Sequence, residues 1–182
     1  TQTQDRQRLH ALRHTAFKGV DIVDEVVRLC AMNLYLHGLG NGGSPVVQGD
    51  ALAGDDGRRF DVVLTNPPFG KKSSYTVVGE DGAVTTEREH YEREDFKFTT
   101  SNKQFNFLQH IMTVLDTHGR AGVVLPDNVL FEAGRAGEGI RRRLLEGFNF
   151  HTLLRLPTGI WYSPGVKANV LFFDKRPAAR EA

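Results

Sequence analysis

Hydrophobic positions along the chain follow two periods that alternate from one segment to the next. Continuous apolar or β-branched runs predict strands at 17–23, 46–50, 60–65, 120–126, 150–157 and 168–175. Apolar residues at helical spacing predict helices at 24–38, 103–117 and 137–147. Because several strand runs are apolar throughout, as at 62–64 and 123–125, both of their faces are expected to be buried. The pattern predicts an α/β fold with helices on the faces of a mostly parallel sheet.

Residues 71–101 break this rhythm, because they are polar, charged and without a sustained period. A connection of this length inside a compact domain is usually functional or disordered. We therefore interpret 71–101 as a polar insertion within one domain that covers 1–182. The parts on either side of the insertion are 17–70 and 102–176.

The composition is that of an ordinary globular domain, with 182 residues, 40% hydrophobic and 25% charged, and a net charge of +1. No apolar run approaches the roughly 18 residues that a membrane-spanning helix needs, so no membrane partner is predicted. The single Cys30 excludes a disulfide framework and a cysteine-built metal site, and it fits a reducing, cytoplasmic environment. The seven histidines are scattered, and no metal site is predicted.

Polar residues stand where four of the predicted strands end: Asp21, Asp50, Asn66 and the pair Asp127 and Asn128. In open α/β sheets, ligands bind outside the carboxyl ends of the strands. A carboxylate at such a position can accept hydrogen bonds from both hydroxyls of a ribose, and a second polar group can bind a purine amine. Each aspartate taken alone is better explained as a helix cap or turn, so it is the set that indicates a nucleotide-like ligand.

The segment Asn66-Pro67-Pro68-Phe69, here called the corner, follows a buried strand directly. Proline fixes φ near −65° and disfavours helical backbone in the preceding residue, so the corner is stiff and extended. The Asn66 side chain and the Pro67 carbonyl supply two hydrogen-bond acceptors that could hold one amino group. The Phe69 ring offers a flat surface for a planar base. A simple turn is the competing interpretation.

Several segments, in this order, resemble adenine-specific DNA N6-methyltransferases, and more narrowly the modification subunit of type I restriction–modification systems. The segments are GVD at 19–21, MNLYLHG at 32–38, GDAL at 49–52, FDVVLTNPPFG at 60–70, LPDNVLF at 125–131, and the stretch from LPTGIWY to FFDK at 156–175. The resemblance covers 17–176, which is nearly the whole chain. The ordered set is more specific than any one of its members.

The resemblance implies a Rossmann-like fold of the S-adenosylmethionine-dependent methyltransferases, with a mostly parallel sheet and a final antiparallel strand. It implies that 17–70 is the cofactor and catalytic half of the domain, in which Asp21 binds the ribose hydroxyls of S-adenosylmethionine and Asp50 its adenine amine. Neighbouring cofactor contacts are implied for Ile22, Ala51 and Leu52. A catalytic role is implied for the corner, Asn66, Pro67, Pro68 and Phe69, which would hold the N6 amine of an adenine flipped out of double-stranded DNA. No metal is required for this displacement.

The implied partners are double-stranded DNA and a specificity subunit that reads the sequence, and the restriction subunit of a type I complex is a further candidate partner. We interpret Lys71 and Lys72, with the polar insertion, as candidates for contact with the DNA backbone, from their position and charge.

The chain departs from the family at its start, because the strand and glycine-rich turn that cradle the methionine part of the cofactor are absent. Residues 1–14 instead predict the helix that follows such a turn. The glycine-rich segments 38–43 and 134–139 are interpreted as connections. We therefore expect a sheet that lacks its first central strand, and a fragment that alone binds cofactor weakly and does not methylate DNA.

Two alternatives remain open from the sequence. Corners of the type Asn-Pro-Pro followed by an aromatic residue also hold the amide nitrogen of protein glutamine in related methyltransferases. A non-catalytic, methyltransferase-like scaffold that binds nucleic acid or a partner subunit is the second alternative, and the absent glycine-rich turn favours it.

Overall fold

The structure, a computed structural model, describes the chain at 5–40, 43–70, 91–161 and 165–176, and gives the backbone at 74–78 and 84–88. The chain splits into two compact units, Thr1–Ala53 and Gly54–Ala182. The assignment of 1–182 to one catalytic domain stays a prediction.

The first unit contains two helices and a two-stranded sheet: α1 (Arg6–His14), β1 (Gly19–Asp21), α2 (Asp24–Leu36) and β2 (Val46–Gln48). The two strands are parallel, and Asp21 lies beside Gln48 at their carboxyl ends. The Asp5 carboxylate accepts hydrogen bonds from the N–H groups of the first turn of α1 and caps that helix. The helix predicted in the first fourteen residues and the next strand, helix and strand are confirmed, with shorter bounds for the strands.

Apolar packing in the first unit is small. Among its described residues, the buried hydrophobic side chains are Val27, Val46 and Leu52. The apolar positions of α2 predict the helix correctly, but many of these side chains are exposed: Val26, Leu29, Met32, Tyr35 and Leu36. The first unit therefore has few side chains whose burial stabilises it.

The second unit is built on a four-stranded sheet. Its elements are β3 (Phe60–Thr65), β4 (Ser74–Val78), β5 (Val84–Arg88), α3 (Lys103–Val114), β6 (Leu115–Pro126), α4 (Asn128–Phe131), α5 (Arg135–Gly147), β7 (Asn149–Arg155) and β8 (Ala168–Asp174). The strand order is β3, β6, β8, β7. β3 is parallel to β6, whereas β8 is antiparallel to both β6 and β7. Three strands thus share one direction and the last strand in sequence opposes them, which confirms the predicted arrangement.

The core of the second unit joins this sheet to its helices. α3 packs on both β6 and α5, and α5 packs on β7. The buried cluster draws on α3, α4, α5, β6 and β8, with Phe148 just before β7: Phe105, Leu108, Ile111, Met112, Leu115, Ala121, Val123, Leu125, Val129, Ile140, Leu144, Phe148, Leu171 and Phe173. Because so many hydrophobic side chains are buried and closely packed, the second unit holds the residues at its strand ends rigidly.

The polar insertion contains structure that the sequence pattern did not predict. β4 and β5 pair as an antiparallel hairpin, with Ser74 beside Arg88 and Val78 beside Val84. The strands are rich in Thr and Val, whose β-branched side chains favour extended backbone. Lys71 and Lys72 lie outside the described residues.

The glycine-rich segment at 134–139 is a helix start, which corrects its interpretation as a connection. Gly134 precedes α5 with a φ of 114°, and the helix itself begins at Arg135. Gly139 lies so close to the Phe98 ring that a Cβ at this position would collide with it. Glycine is a poor helix former, so the sequence obscured the helix, but here glycine permits a close approach.

Within the part of the chain that the structure describes, no helix combines the length and the apolar character needed to cross a membrane.

Candidate active site

The corner lies at the carboxyl end of β3. The last residue of the strand, Thr65, pairs with Val123 of β6, so the backbone entering the corner is held by the sheet. Asn66 is exposed and Pro67 is buried. Among the described residues, the Asn66 side chain and the Pro67 carbonyl have no hydrogen-bond partner. Neither predicted acceptor is therefore engaged within the described part of the chain.

The far end of the corner is held by a buried glutamine of α3. The Gln104 Nε2 donates to the Phe69 carbonyl at 2.7 Å, and the Gln104 Oε1 accepts from Asn128 Nδ2 at 2.7 Å. Gln104 is completely buried. The corner thus connects through one side chain to α4, the short helix that follows β6.

The Phe69 ring is partly buried and packs edge-to-face against Trp161, with ring centroids 5.4 Å apart and planes inclined by 79°. The Trp161 Nε1 is buried and has no hydrogen-bond partner among the described residues. An edge-to-face contact leaves part of an aromatic face uncovered, and it also restricts the rotation of the ring. Phe69 is thereby an oriented rather than a freely rotating surface.

Asp127, predicted as a candidate ligand at the end of β6, is already engaged. Its Oδ2 accepts from Arg155 Nη2 at 2.6 Å, and its Oδ1 accepts from Asn169 Nδ2 at 2.7 Å. These contacts tie together the ends of β6, β7 and β8. Asp127 therefore serves the sheet, and its neighbour Asn128 contacts Gln104.

Asp21 and Asp50, here called the acid pair, lie at the carboxyl ends of the two strands of the first unit, Asp21 as the last residue of β1 and Asp50 two residues after β2. The Asp21 Oδ1 accepts from the Val23 N–H at 2.8 Å, and the Asp50 Oδ1 accepts from the Leu52 N–H at 2.8 Å. The Gly49 N–H donates to the Asp21 carbonyl at 3.0 Å, which joins the two strand ends. Each carboxylate thus shapes its own turn, as the simpler interpretation of the sequence requires.

The acid pair also keeps features that fit a ribose and a base. The second carboxylate oxygen of Asp21 has no hydrogen-bond partner in the described part of the chain, so it can accept from a hydroxyl. Ile22 is 66% exposed and offers an apolar surface beside it, whereas Leu52 is 1% exposed and belongs to the packing of the first unit. Ala51 is half-buried. This chemistry fits the nucleoside part of S-adenosylmethionine.

No metal site accompanies these residues: the described ranges contain no group of three or more His, Cys, Asp or Glu placed to hold an ion.

A half-buried polar cluster joins the end of the insertion to α3. Arg93 Nη2 contacts Asp95 Oδ2 at 2.8 Å, Thr113 Oγ1 donates to the same oxygen at 2.7 Å, and Arg93 Nη1 lies 3.2 Å from His110 Nδ1. Burial and the neighbouring Arg93 charge lower the pKa of His110 below its usual 6.5. His110 therefore packs as a neutral ring and accepts from Arg93.

The architecture places this chain in a known structural class. A chain assigned to the class I S-adenosylmethionine-dependent methyltransferases, from Listeria monocytogenes, superposes with a TM-score of 0.63 at 16% identity, over 91% of this chain and 47% of that chain. The fold is thus that of the S-adenosylmethionine-dependent methyltransferases, which confirms the Rossmann-like prediction.

The family follows from the sequence match. The model of the N-6 DNA Methylase family matches residues 2–182, and the chain belongs to this family. The type I restriction enzyme EcoKI methylase subunit of Escherichia coli is 44% identical over 172 residues, which are 91% of this chain and 29% of that protein. The StySJI methylase subunit of Salmonella typhimurium is 44% identical over 168 residues, covering 89% of this chain and 28% of that protein.

Solved structures agree with this assignment. The crystal structure of the EcoKI M protein matches with a TM-score of 0.76 at 43% identity, over 94% of this chain and 33% of that chain. A chain from a study of complex assembly and conformational transition of the type I R-M system matches with a TM-score of 0.77 at 29% identity, over 97% of this chain and 34% of that chain. The chain spans about a third of the length of these relatives, so the expected absence of the first central strand stays a prediction.

Two residues of the site were not predicted. Gln104 lies 35 residues after Phe69, inside an ordinary helical pattern, and nothing in the sequence marks its contact. Trp161 lies in the 156–175 stretch that carries the family resemblance, and it is the single tryptophan of the chain. A lone tryptophan between Gly159 and Pro164 could have been singled out as a binding-site residue, because a large aromatic side chain in a loop is rarely fully covered.

Proposed function

We propose that the protein containing this chain transfers a methyl group from S-adenosylmethionine to the N6 amine of adenine in DNA, as the modification subunit of a type I restriction–modification system. The family and the names of the relatives support this reaction class. The observation that carries the proposal is the corner, where an exposed Asn66 and the Pro67 carbonyl stand without hydrogen-bond partners in the described structure.

The corner accounts for the recognition of the amine. Asn66 Oδ1 and the Pro67 carbonyl each accept a hydrogen bond from the N6 amine of a flipped-out adenine, and Phe69 stacks on the base. Two fixed acceptors orient the nitrogen lone pair and stabilise the positive charge that the nitrogen gains as it is alkylated. S-adenosylmethionine, when bound, supplies the electrophilic methyl group on sulfur. The N6 nitrogen would bond to this methyl carbon as the carbon–sulfur bond breaks, S-adenosylhomocysteine would leave, and the surplus N6 proton would pass to solvent.

The acid pair accounts for the nucleoside part of the cofactor. We propose that Asp21 accepts from the ribose hydroxyls through its open carboxylate oxygen and that Asp50 binds the adenine amine. Ile22 and Ala51 would line the same pocket, and Leu52 would support it from the core of the first unit.

Partners and location follow from the reaction. We propose double-stranded DNA as the substrate, with Lys71 and Lys72 near its backbone, and a specificity subunit as the partner that selects the sequence. A restriction subunit would complete the assembly, in the cytoplasm where the DNA lies. The relative from the type I R-M assembly study supports assembly into a complex.

The product of the reaction tests the proposal. The complete gene product that contains this chain, with its specificity subunit, is incubated with unmethylated DNA and cofactor, and digested nucleosides are analysed by mass spectrometry. We expect N6-methyladenine from the wild type, and about 100-fold less or none from Asn66→Ala. Asn33→Ala, at an exposed position of α2, serves as the control and should match the wild type.

Two results would contradict the proposal. Methylation found by mass spectrometry on protein glutamine rather than on DNA would favour the glutamine alternative. No product in either fraction, from a folded and correctly assembled complex, would favour the scaffold.

A further inference from the structure

We propose that Gln104 is a positioning residue of methyl transfer, which holds Asn66 in its productive place by fixing the far end of the corner. The inference rests on the proposed function and extends it to a residue of α3 that lies outside the corner. Gln104 touches neither base nor cofactor in this account, and it acts through the backbone of Phe69.

Hydrogen bonds in the described structure hold the corner at its start and at its end. At its start, the pairing of Thr65 with Val123 continues the sheet up to Asn66. At its end, Gln104 Nε2 binds the Phe69 carbonyl at 2.7 Å. The two intervening prolines have fixed φ angles, so the segment moves as a stiff unit. Because the Asn66 side chain has no hydrogen bond of its own in the described structure, its position depends on these two attachments.

Gln104 is itself rigidly placed. The Asn102 side chain caps α3 and accepts from the Gln104 N–H at 3.0 Å. A backbone carbonyl can only accept, so the amino end of the Gln104 amide must face Phe69 and its oxygen must face Asn128. The amide therefore has one orientation, and both of its ends are used.

The same helix contains a comparable residue, Gln109, whose hydrogen bonds go to Phe98 instead of the corner. Gln109 is also completely buried. Its Nε2 donates to the Phe98 carbonyl at 2.9 Å, and its Oε1 accepts from the Phe98 N–H at 3.1 Å. Gln104 and Gln109 thus share residue type, helix, burial and a phenylalanine backbone as partner. They differ in what they hold, since Phe98 lies at the end of the insertion.

The experiment compares Gln104→Met with Gln109→Met in the complete gene product and its assembled complex, since methionine keeps the approximate volume and removes the amide. We expect both variants to melt at lower temperature than the wild type, because each leaves a buried carbonyl unpaired. Only Gln104→Met should lower kcat, by about 10- to 100-fold, with the Kd for cofactor unchanged. 2-Aminopurine placed at an adenine that the wild type methylates should also fluoresce less in the complex with Gln104→Met.

Equal kcat in the two variants would overturn the inference while leaving the proposed function intact, provided the wild type methylates DNA. Absence of methylation by the wild type would instead refute the proposed function. If Gln104→Met does not fold, Asn128→Ala decides, because it frees the oxygen end of the Gln104 amide. A lower kcat at unchanged cofactor Kd then supports the inference, and an unchanged kcat overturns it.

Discussion

The acid pair and the corner stand at equivalent places, the carboxyl ends of parallel strands, but they are held in opposite ways. Asp21 and Asp50 fold back onto their own loops and accept from N–H groups two residues away. Asn66 makes no such bond in the described structure, and its surroundings are fixed by Gln104 and Trp161, which are distant in sequence. Local sequence therefore shapes one site, whereas tertiary packing shapes the other.

The hydrophobic cores beneath the acid pair and the corner also differ, and the core beneath the corner is the larger one. The described part of the first unit buries three hydrophobic side chains, whereas the second unit buries a continuous cluster drawn from three helices and two strands. A group that must hold a reacting nitrogen within a fraction of an ångström benefits from the larger core. A carboxylate that binds hydroxyls tolerates a looser support.

Core truncation should therefore have its largest effect in the second unit. Phe105 is 1% exposed at the centre of the cluster. Phe105→Ala should lower the opening free energy of amides in β6 and β8 by about 3–5 kcal/mol. Val27→Ala should lower the opening free energy of amides in α2 by about 1 kcal/mol. Hydrogen exchange followed by mass spectrometry measures these opening free energies in each variant and in the wild type.

If Val27→Ala lowered the opening free energy in α2 as much as Phe105→Ala lowers it in β6 and β8, the two cores would not differ as described. A change in β6 and β8 below about 1 kcal/mol for Phe105→Ala would likewise show that the cluster does not stabilise the sheet.

Acid should weaken the second unit through His110, an effect smaller than that of core truncation. The folded state lowers the pKa of His110 below 6.5, because the ring is buried and lies beside Arg93. The unfolded chain therefore takes up the proton first, and stability is lost as pH falls below 6.5 toward the folded pKa. His110→Gln, which keeps an acceptor for Arg93, should flatten this loss.

Urea denaturation between pH 7.5 and pH 5 measures this dependence. His37→Gln, at an exposed position of the first unit, is the control and should follow the wild type. A steeper loss of stability in His110→Gln than in the wild type would contradict the assignment of a neutral ring.

Much of the fold could be predicted from the periodicity of apolar residues. The pattern gave β8 and α3 close to their observed positions, because burial imposes periods of two or 3.6. It also placed β3 correctly, but the expected burial of both faces at 62–64 was wrong, since Val62 and Leu64 are exposed. It failed at β4 and β5, because their sequences, SYTVV and VTTER, lie in a segment without a sustained period of apolar residues. It also failed at the start of α5, where glycines that permit contact with Phe98 resemble a loop.

The candidate site was predictable where chemistry is local. The two prolines predicted a stiff corner, and the aspartates indicated the ends of strands. Gln104 was not predictable, because its role depends on a contact across 35 residues of sequence. Asp127 had the same signal as Asp21, and only the structure shows that its carboxylate binds Arg155 and Asn169.

The most direct test of the account compares Asn66→Ala with Asp21→Ala in the complete gene product, measuring cofactor Kd and the single-turnover rate of methyl transfer at saturating cofactor. We expect Asn66→Ala to lose about 100- to 1000-fold in rate with Kd unchanged. Asp21→Ala should weaken cofactor binding by about 10- to 100-fold and recover its rate when cofactor is raised. Equal loss of both quantities in both variants would contradict the account, because it would show that Asn66 is structural.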